Sequence, residues 1–373
     1  MRSVTGFKML VHDRSSTAGA VLGVVAIVFL VGQQLSVFFG LLSYMSVLVD
    51  HSGAEAWITS KNLENADATG EIPMRYLDRI AGIRDVEWAE PIILGGGSFR
   101  KPNGQFETVR LVGLRRPRLA GGPWAFIEGS NADLIDPEGI TVDRIDLPNL
   151  GSPNVGDVTE INGRRVRLAA ITDKARGFAG TLVFASFETA RDISAVPSGR
   201  CSAILVKFGA GVDKETGVEQ LRLLFPAAEV TLTPELSAKT RGFYLANTGI
   251  GGSFGFSTVI GTLVGVVIIT LTLYASVINR AGDFAVLRAL GARKWDIFVL
   301  VLSQAVAIGV IGIFLGFVLL ALLLNGTRGS PIPSYMPALV PPIHAAATMC
   351  FCLAGSILAM RKALQAEPAS VFH

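Results

Sequence analysis

Four long stretches of the chain carry no Asp, Glu, Lys or Arg: Ser15–Val49, Gly242–Asn279, Ile297–Thr327 and Gly329–Met360. Each is dense in Leu, Ile, Val, Phe, Ala and Gly. Each also exceeds the roughly 20 apolar residues that an α-helix needs to cross a bilayer. The pattern predicts spans over residues 18–42, 244–278 (the helix proper from Phe256, after an outer-edge segment), 297–324 and 338–360. Short segments remain at 1–17, 279–296, 325–337 and 361–373, and a long one at 43–243.

The long segment alternates strand and helix signals. Ala54–Ser60 reads as a strand, Pro73–Ala81 as a helix opened by proline, and Val86–Leu94 as a returning strand. The order recurs near the end, with Ser202–Phe208 a strand, Asp213–Leu224 a helix and Ala228–Thr233 a strand. Between these units the pattern is all-β. Asn103-Gly104 and Asn162-Gly163 each fall between alternating runs, a strong hairpin signal. The expectation is an integral membrane α-helical protein, one helix plus three, with a large α+β domain of two lobes inserted between the first and second helices.

Composition supports this division. Only 17% of residues are charged and mean hydropathy is +0.49, against about a quarter charged in a soluble domain. The charges concentrate in Asp50–Arg241, with 26 acidic and 23 basic side chains. Lys and Arg in short loops set orientation. Nine of them (Arg2, Lys8, Arg14, Arg280, Arg288, Arg293, Lys294, Arg361, Lys362) fall at the termini and in the 279–296 loop, against Arg328 alone between the third and fourth spans. Both termini and that loop are therefore expected in the cytoplasm, with the large domain outside. The first apolar run continues past Gln33 and Gln34 with no small-residue cleavage site, so it reads as an uncleaved anchor.

The search for chemistry narrows the function. Gly-Lys never occurs, which excludes a nucleotide-binding P-loop. His12, His51, His344 and His373 form no metal motif, and Cys201, Cys350 and Cys352 form no Cys/His cluster. Basic runs at Arg115–Arg118 and Arg164–Arg167 read as solvated faces of a slightly acidic domain. Mid-membrane charge is missing from the four apolar stretches, where a solute pathway ordinarily needs it. Small-residue pairs at Gly19/Gly23, Gly261/Gly265 and Gly312/Gly316 allow close helix contact. Packing within one subunit and a homodimer seam at Gly19, Gly23, Gly261 and Gly265 both fit.

The 279–296 loop is unusual. Asp283, Phe284, Ala285, Val286, Leu287, Arg288, Ala289 and Leu290 are followed by Gly291, a natural helix stop. This helix has fewer residues than the roughly 12–15 needed for marginal stability in water. It must dock, either on the inner ends of its own spans or on a cytoplasmic partner, and Leu287 at its middle is expected to owe its burial to the partner.

The run "GDFAVLRALGARKWDI" closely resembles the coupling loop of permease subunits in FtsX-like/MacB-type ABC transporters, and "AEPASVF" (Ala366–Phe372) resembles the ending of the DevC-type permeases in that group. The order of one span, an outside domain and three spans matches the family. Asp283 stands for the usual Glu, and Phe284-Ala285 for Ile-Gly. The resemblance implies a non-enzymatic permease whose Asp283, Phe284, Val286, Leu287, Arg288, Leu290 and Gly291 couple to a separate ATPase. ATP and magnesium would sit on that partner, with no cofactor on this chain. It further implies a homodimer in the bacterial inner membrane, surrounded by lipid, with a periplasmic adaptor and an outer-membrane channel, exporting a lipid, glycolipid or amphiphile. No nucleic acid is implied. A lipoprotein-releasing or cell-wall-hydrolase-regulating permease of the same fold is the alternative, and a membrane-anchored receptor is a third reading.

Overall fold

The computed structural model describes residues 14–365 apart from 69, 280, 328 and 331. Helix α1 (Arg14–Met45) is followed by one turn, α2 (Val47–Asp50). The inserted domain then runs β1 (Ala56–Ser60), β2 (Ile72–Pro73), α3 (Tyr76–Ile80), β3 (Val86–Arg100), β4 (Phe106–Leu114), β5 (Phe126–Glu128) and β6 (Gly139–Asp143). It continues with β7 (Val158–Ile161), β8 (Arg164–Thr172), β9 (Thr181–Ser186), α4 (Phe187–Ile193), β10 (Arg200–Cys201), β11 (Ala203–Phe208), α5 (Lys214–Leu224), β12 (Ala228–Leu232) and α6 (Thr233–Asn247). Three long or short helices follow α7 (Ile250–Asn279): α8 (Ala281–Ala289), α9 (Lys294–Gly326) and α10 (Val340–Gln365). Among the described residues, four helices are long and apolar enough to cross a membrane, over Thr17–Met45, Ile250–Asn279, Lys294–Gly326 and Val340–Leu358.

Two compact units result. In the α/β unit, Leu41–Gly251, ten strands form one sheet in the order β12-β1-β11-β3-β4-β9-β6-β8-β5, with β7 joined to both β3 and β8. The ring β3-β4-β9-β6-β8-β7 therefore closes on itself, while β12, β1 and β11 extend it as an open sheet. Phe99, Val109, Leu111, Val142, Ile161, Val166, Leu168 and Val183 are buried in one core. Trp57, Ile92, Leu94, Val112, Leu114, Phe184 and Leu205 form the second. The two parts anticipated from the sequence are not separated by a linker; they share β3 and β4.

That sharing follows from Gly95-Gly96-Gly97, where the expected strand ended at Leu94. The strand instead runs on to Arg100. A Cβ on Gly97 would lie 2.4 Å from Ile161 Cγ2, and one on Gly95 would lie 2.0 Å from Ser194 Oγ. These glycines make room for β7 and for the end of α4 without breaking the strand. Both Asn-Gly hairpins form. Asn162 and Gly163 have φ of 49° and 75°, the pair of positive values a two-residue turn between twisted strands requires.

Asn162 also closes the ring. The β3–β7 ladder is the single pair Phe99↔Ile161, extended by Ser98 N donating to Asn162 Oδ1 at 2.8 Å and Asn162 N to Ser98 O at 3.2 Å. Asn162→Ala removes a side-chain acceptor and places a less tolerant residue at positive φ. A loss of about 2 kcal/mol is expected, read by urea unfolding followed through the tryptophans, of which Trp57, Trp88 and Trp124 lie in this unit.

Two expected helices change. Pro73 does not open a helix but pairs with Arg200 in a two-stranded ribbon; lacking an N–H, proline suits such an edge, and α3 starts at Tyr76. The helix α6 was not anticipated. Its signal is Thr233-Pro234-Glu235, with Glu235 Oε2 accepting from Leu232 N at 3.3 Å, a helix-start pattern.

Candidate functional site

In the helical unit, α8 ends as its sequence requires. Gly291 adopts φ +96°, and Ala292 N donates to Leu287 O at 3.0 Å, the six-to-one bond of a glycine-terminated helix. Arg293 N then donates to Asp296 Oδ2 at 2.9 Å and starts α9. The chain thus reverses from α8 to α9 within a few residues. The helix begins at Ala281, two residues before the expected Asp283.

The two faces of α8 differ. Phe284 is 7% exposed and packs with Val277, Ile297, Leu300 and Val301; Tyr274 and Leu287 pack partly against the same cluster. Leu287 is therefore half-buried against its own bundle, which supplies part of the burial that a helix this short needs. The opposite face carries Val286 at 60% and Leu290 at 80% exposure, with Gly282 and Ala289 also exposed. Spacings of 3, 4 and 7 or 8 place these four on one stripe. Arg293, Lys294 and Trp295, just past the Gly291 turn, are exposed as well, with Trp295 stacked on Phe298 at 5.0 Å between ring centroids. The side chains of Asp283 and Arg288 lie outside the described residues, as does the Ala366–Phe372 ending.

The cluster residues Val277, Ile297, Leu300 and Val301 were not singled out from sequence. Their signal was present as the 3- and 4-residue spacing of apolar positions at the start of α9. The surface has no nucleophile or paired acids among its described side chains; what it can do is bind another apolar surface beside basic groups.

The glycine pairs divide as well. A Cβ on Gly312 would lie 2.6 Å from Val24 Cβ, and one on Gly316 2.7 Å from Val28 Cβ, so this pair seats α9 on α1. Gly23 faces Ile268 and Thr272 at 3.2 and 3.4 Å, and Gly265 faces Ile27 Cδ1 at 2.0 Å, so these seat α7 on α1. Among the described residues, nothing lies within 4 Å of a Cβ on Gly19 or Gly261. His344 Nε2 adds a polar tie from α10 to Val28 O at 3.2 Å.

Comparison with known proteins follows the same division. Residues 17–224 match the MacB-like periplasmic core domain and residues 255–368 the FtsX-like permease C-terminal family. No curated protein matches. Among solved structures, the extracellular domain of the noncanonic ABC-type transporter YknZ from Gram-positive bacteria is similar at TM-score 0.37 and 14% identity, over 48% of this chain and 98% of that one. The periplasmic region of MacB from Actinobacillus actinomycetemcomitans is similar at TM-score 0.35 and 11% identity, over 50% and 92%. With one matched family over its first span and α/β unit and the other over its last helices, the chain belongs to the FtsX-like permeases with a MacB-like periplasmic core domain, the non-enzymatic permease subunits of ABC transporters, set in the inner membrane with the α/β unit in the periplasm.

Proposed function

We propose that this permease belongs to an ATP-driven exporter of a lipid, glycolipid or amphiphile, and that its α8 surface receives a separate cytoplasmic ATPase. The observation that carries this is the exposed stripe of Val286 and Leu290 on a nine-residue helix whose other face is anchored by Phe284. A buried anchor holds the helix in place, and an apolar outer face gives a partner something to cover. ATP and magnesium belong to that partner. Movement of the ATPase passes through α8 to the bundle that holds Phe284.

The rest of the reading is a homodimer, joined where Gly19 and Gly261 stand open; Gly23 and Gly265, one turn further along the same helices, are taken up by the packing of α7 on α1. A periplasmic adaptor and an outer-membrane channel complete the export path. The DevC-like ending of the sequence supports the exporter over lipoprotein release. Co-purification from native membranes, with identification of the bound proteins and lipids, tests it. Recovery of an ATPase with a lipoprotein carrier and no adaptor would favour the other task.

Orientation has its own test. A reporter active only in the periplasm should work when fused after Gly104 and be silent within Ala292–Trp295. The reverse pattern would place α8 on the wrong side for an ATPase.

A further inference from the structure

Residues 173–180, between β8 and β9, form an irregular strap across the α/β unit. Two buried acids hold one side of it. Ala175 N donates to Asp143 Oδ2 at 2.7 Å, and Arg176 Nε lies 3.2 Å from Asp146 Oδ1. The other side grips two segments that continue towards spans. Phe178 N donates to the carbonyl of Tyr44, near the end of α1, at 3.2 Å. The Phe178 ring meets the ring of Tyr244, on α6, edge-on at 4.7 Å.

Asp146 is out of balance in this position. It is 1% exposed, and its Oδ2 has no hydrogen-bond partner among the described residues. A buried oxygen with no partner is costly when charged and much less so as a neutral carboxyl. The groups that face Asp146 are Arg176 on the strap, Asp143 on β6, Asn149 at 3.4 Å, Glu107 on β4 and Tyr44 near the end of α1. Asp143 in turn faces Asp173 and Arg144. Burial is the largest influence, with Asp143 and Glu107 adding to it. Arg176 opposes them and loses, and the Asp146 carboxyl is pushed up to about 6.

We propose that the strap is a proton-sensitive grip: protonation of Asp146 closes residues 173–180 onto Tyr44 and Tyr244, and its ionisation loosens them. The sign follows from linkage. With the strap open, Asp146 meets water and titrates near the ordinary value of about 4. The closed strap holds the proton more tightly, so acid favours closure and rising pH favours opening. The change runs from about pH 4 to about pH 6 and is flat above, an increase in opening of roughly a hundredfold overall. The periplasmic face would thereby loosen its hold on the two segments at neutral pH and tighten it in acid.

Hydrogen exchange on the full chain in lipid nanodiscs between pH 4.5 and 7.5, corrected for the intrinsic pH dependence, reads this directly. In the wild type, opening of the 173–180 peptide should rise by more than about tenfold across that range. Asp146→Asn, neutral throughout, should hold the peptide at its closed level, while the β1 peptide Ala56–Ser60 stays level in both. A wild-type strap that does not respond, or an Asp146→Asn strap with the wild-type slope, overturns the proposal. Should Asp146→Asn unfold the β1 peptide too, Arg176→Gln decides: loss of the cation must move the midpoint upward, and an unchanged midpoint overturns the proposal equally.

Discussion

Replacing Val286 and Leu290 together by aspartate is expected to abolish recruitment of the ATPase while the helical unit stays assembled. Burying a valine or leucine side chain contributes about 1.5–3 kcal/mol each, and an unpaired carboxylate in the interface costs more. The pair should therefore weaken binding by at least about a hundredfold, since each 1.4 kcal/mol is a factor of ten. Both side chains point away from the bundle, at 60% and 80% exposure, so membrane insertion and thermal stability in detergent should be unchanged. Phe284→Ala gives the opposite pattern. It opens a cavity among Val277, Ile297, Leu300 and Val301 at about 3–5 kcal/mol and lowers stability first. The measurement is ATPase co-purification beside thermal unfolding. A double aspartate variant that still recruits and drives its ATPase would leave α8 without a docking role.

Leu287 shows where sequence reading stops. A helix of this length must dock, and that much follows from chain length and the Gly291 stop. Which face docks on what depends on the position of Ile297, Leu300 and Val301 across the turn. No periodicity within α8 encodes that position. The strap is a similar case. Asp143 and Asp146 are ordinary acids in the sequence, and only the pairing of β6 with β8 and β9 brings them under residues 173–180. By contrast, the spans, both hairpins and the helix α5 were legible because each rests on local chemistry. Charge-free runs suit lipid, Asn-Gly suits positive φ, and Asp213 Oδ2 accepts from Thr216 N at 3.0 Å. The closed ring was hidden because it depends on the absence of a Cβ at Gly97 opposite Ile161, a match across more than sixty residues of sequence.

The three glycine pairs looked alike in sequence, and their surroundings now separate them into two experiments. Gly312 and Gly316 lie under Val24 and Val28 with no room for a Cβ. Gly316→Leu must push α9 off α1 and disturb the core of Val24, Ile27, Val28 and Ile308. Overpacking of this kind costs about 1–3 kcal/mol or more, so a monomer weakened in detergent is the expected result. Gly261 is open, and its neighbours Leu263, Val264, Val267 and Leu271 on α7 are all more than half exposed. Gly261→Leu should leave the melting temperature of the monomer unchanged and weaken self-association in membranes, because among the described residues nothing lies within 4 Å of a Cβ there. Val264→Cys, in a background lacking Cys201, Cys350 and Cys352, should cross-link between copies. Val21 is the poorer site, since its backbone carbonyl already lies 3.3 Å from where a Cβ on Gly312 would stand. A Val264→Cys protein that never cross-links, together with a Gly261→Leu protein that associates like the wild type, would assign α7 to lipid and move the seam to another helix.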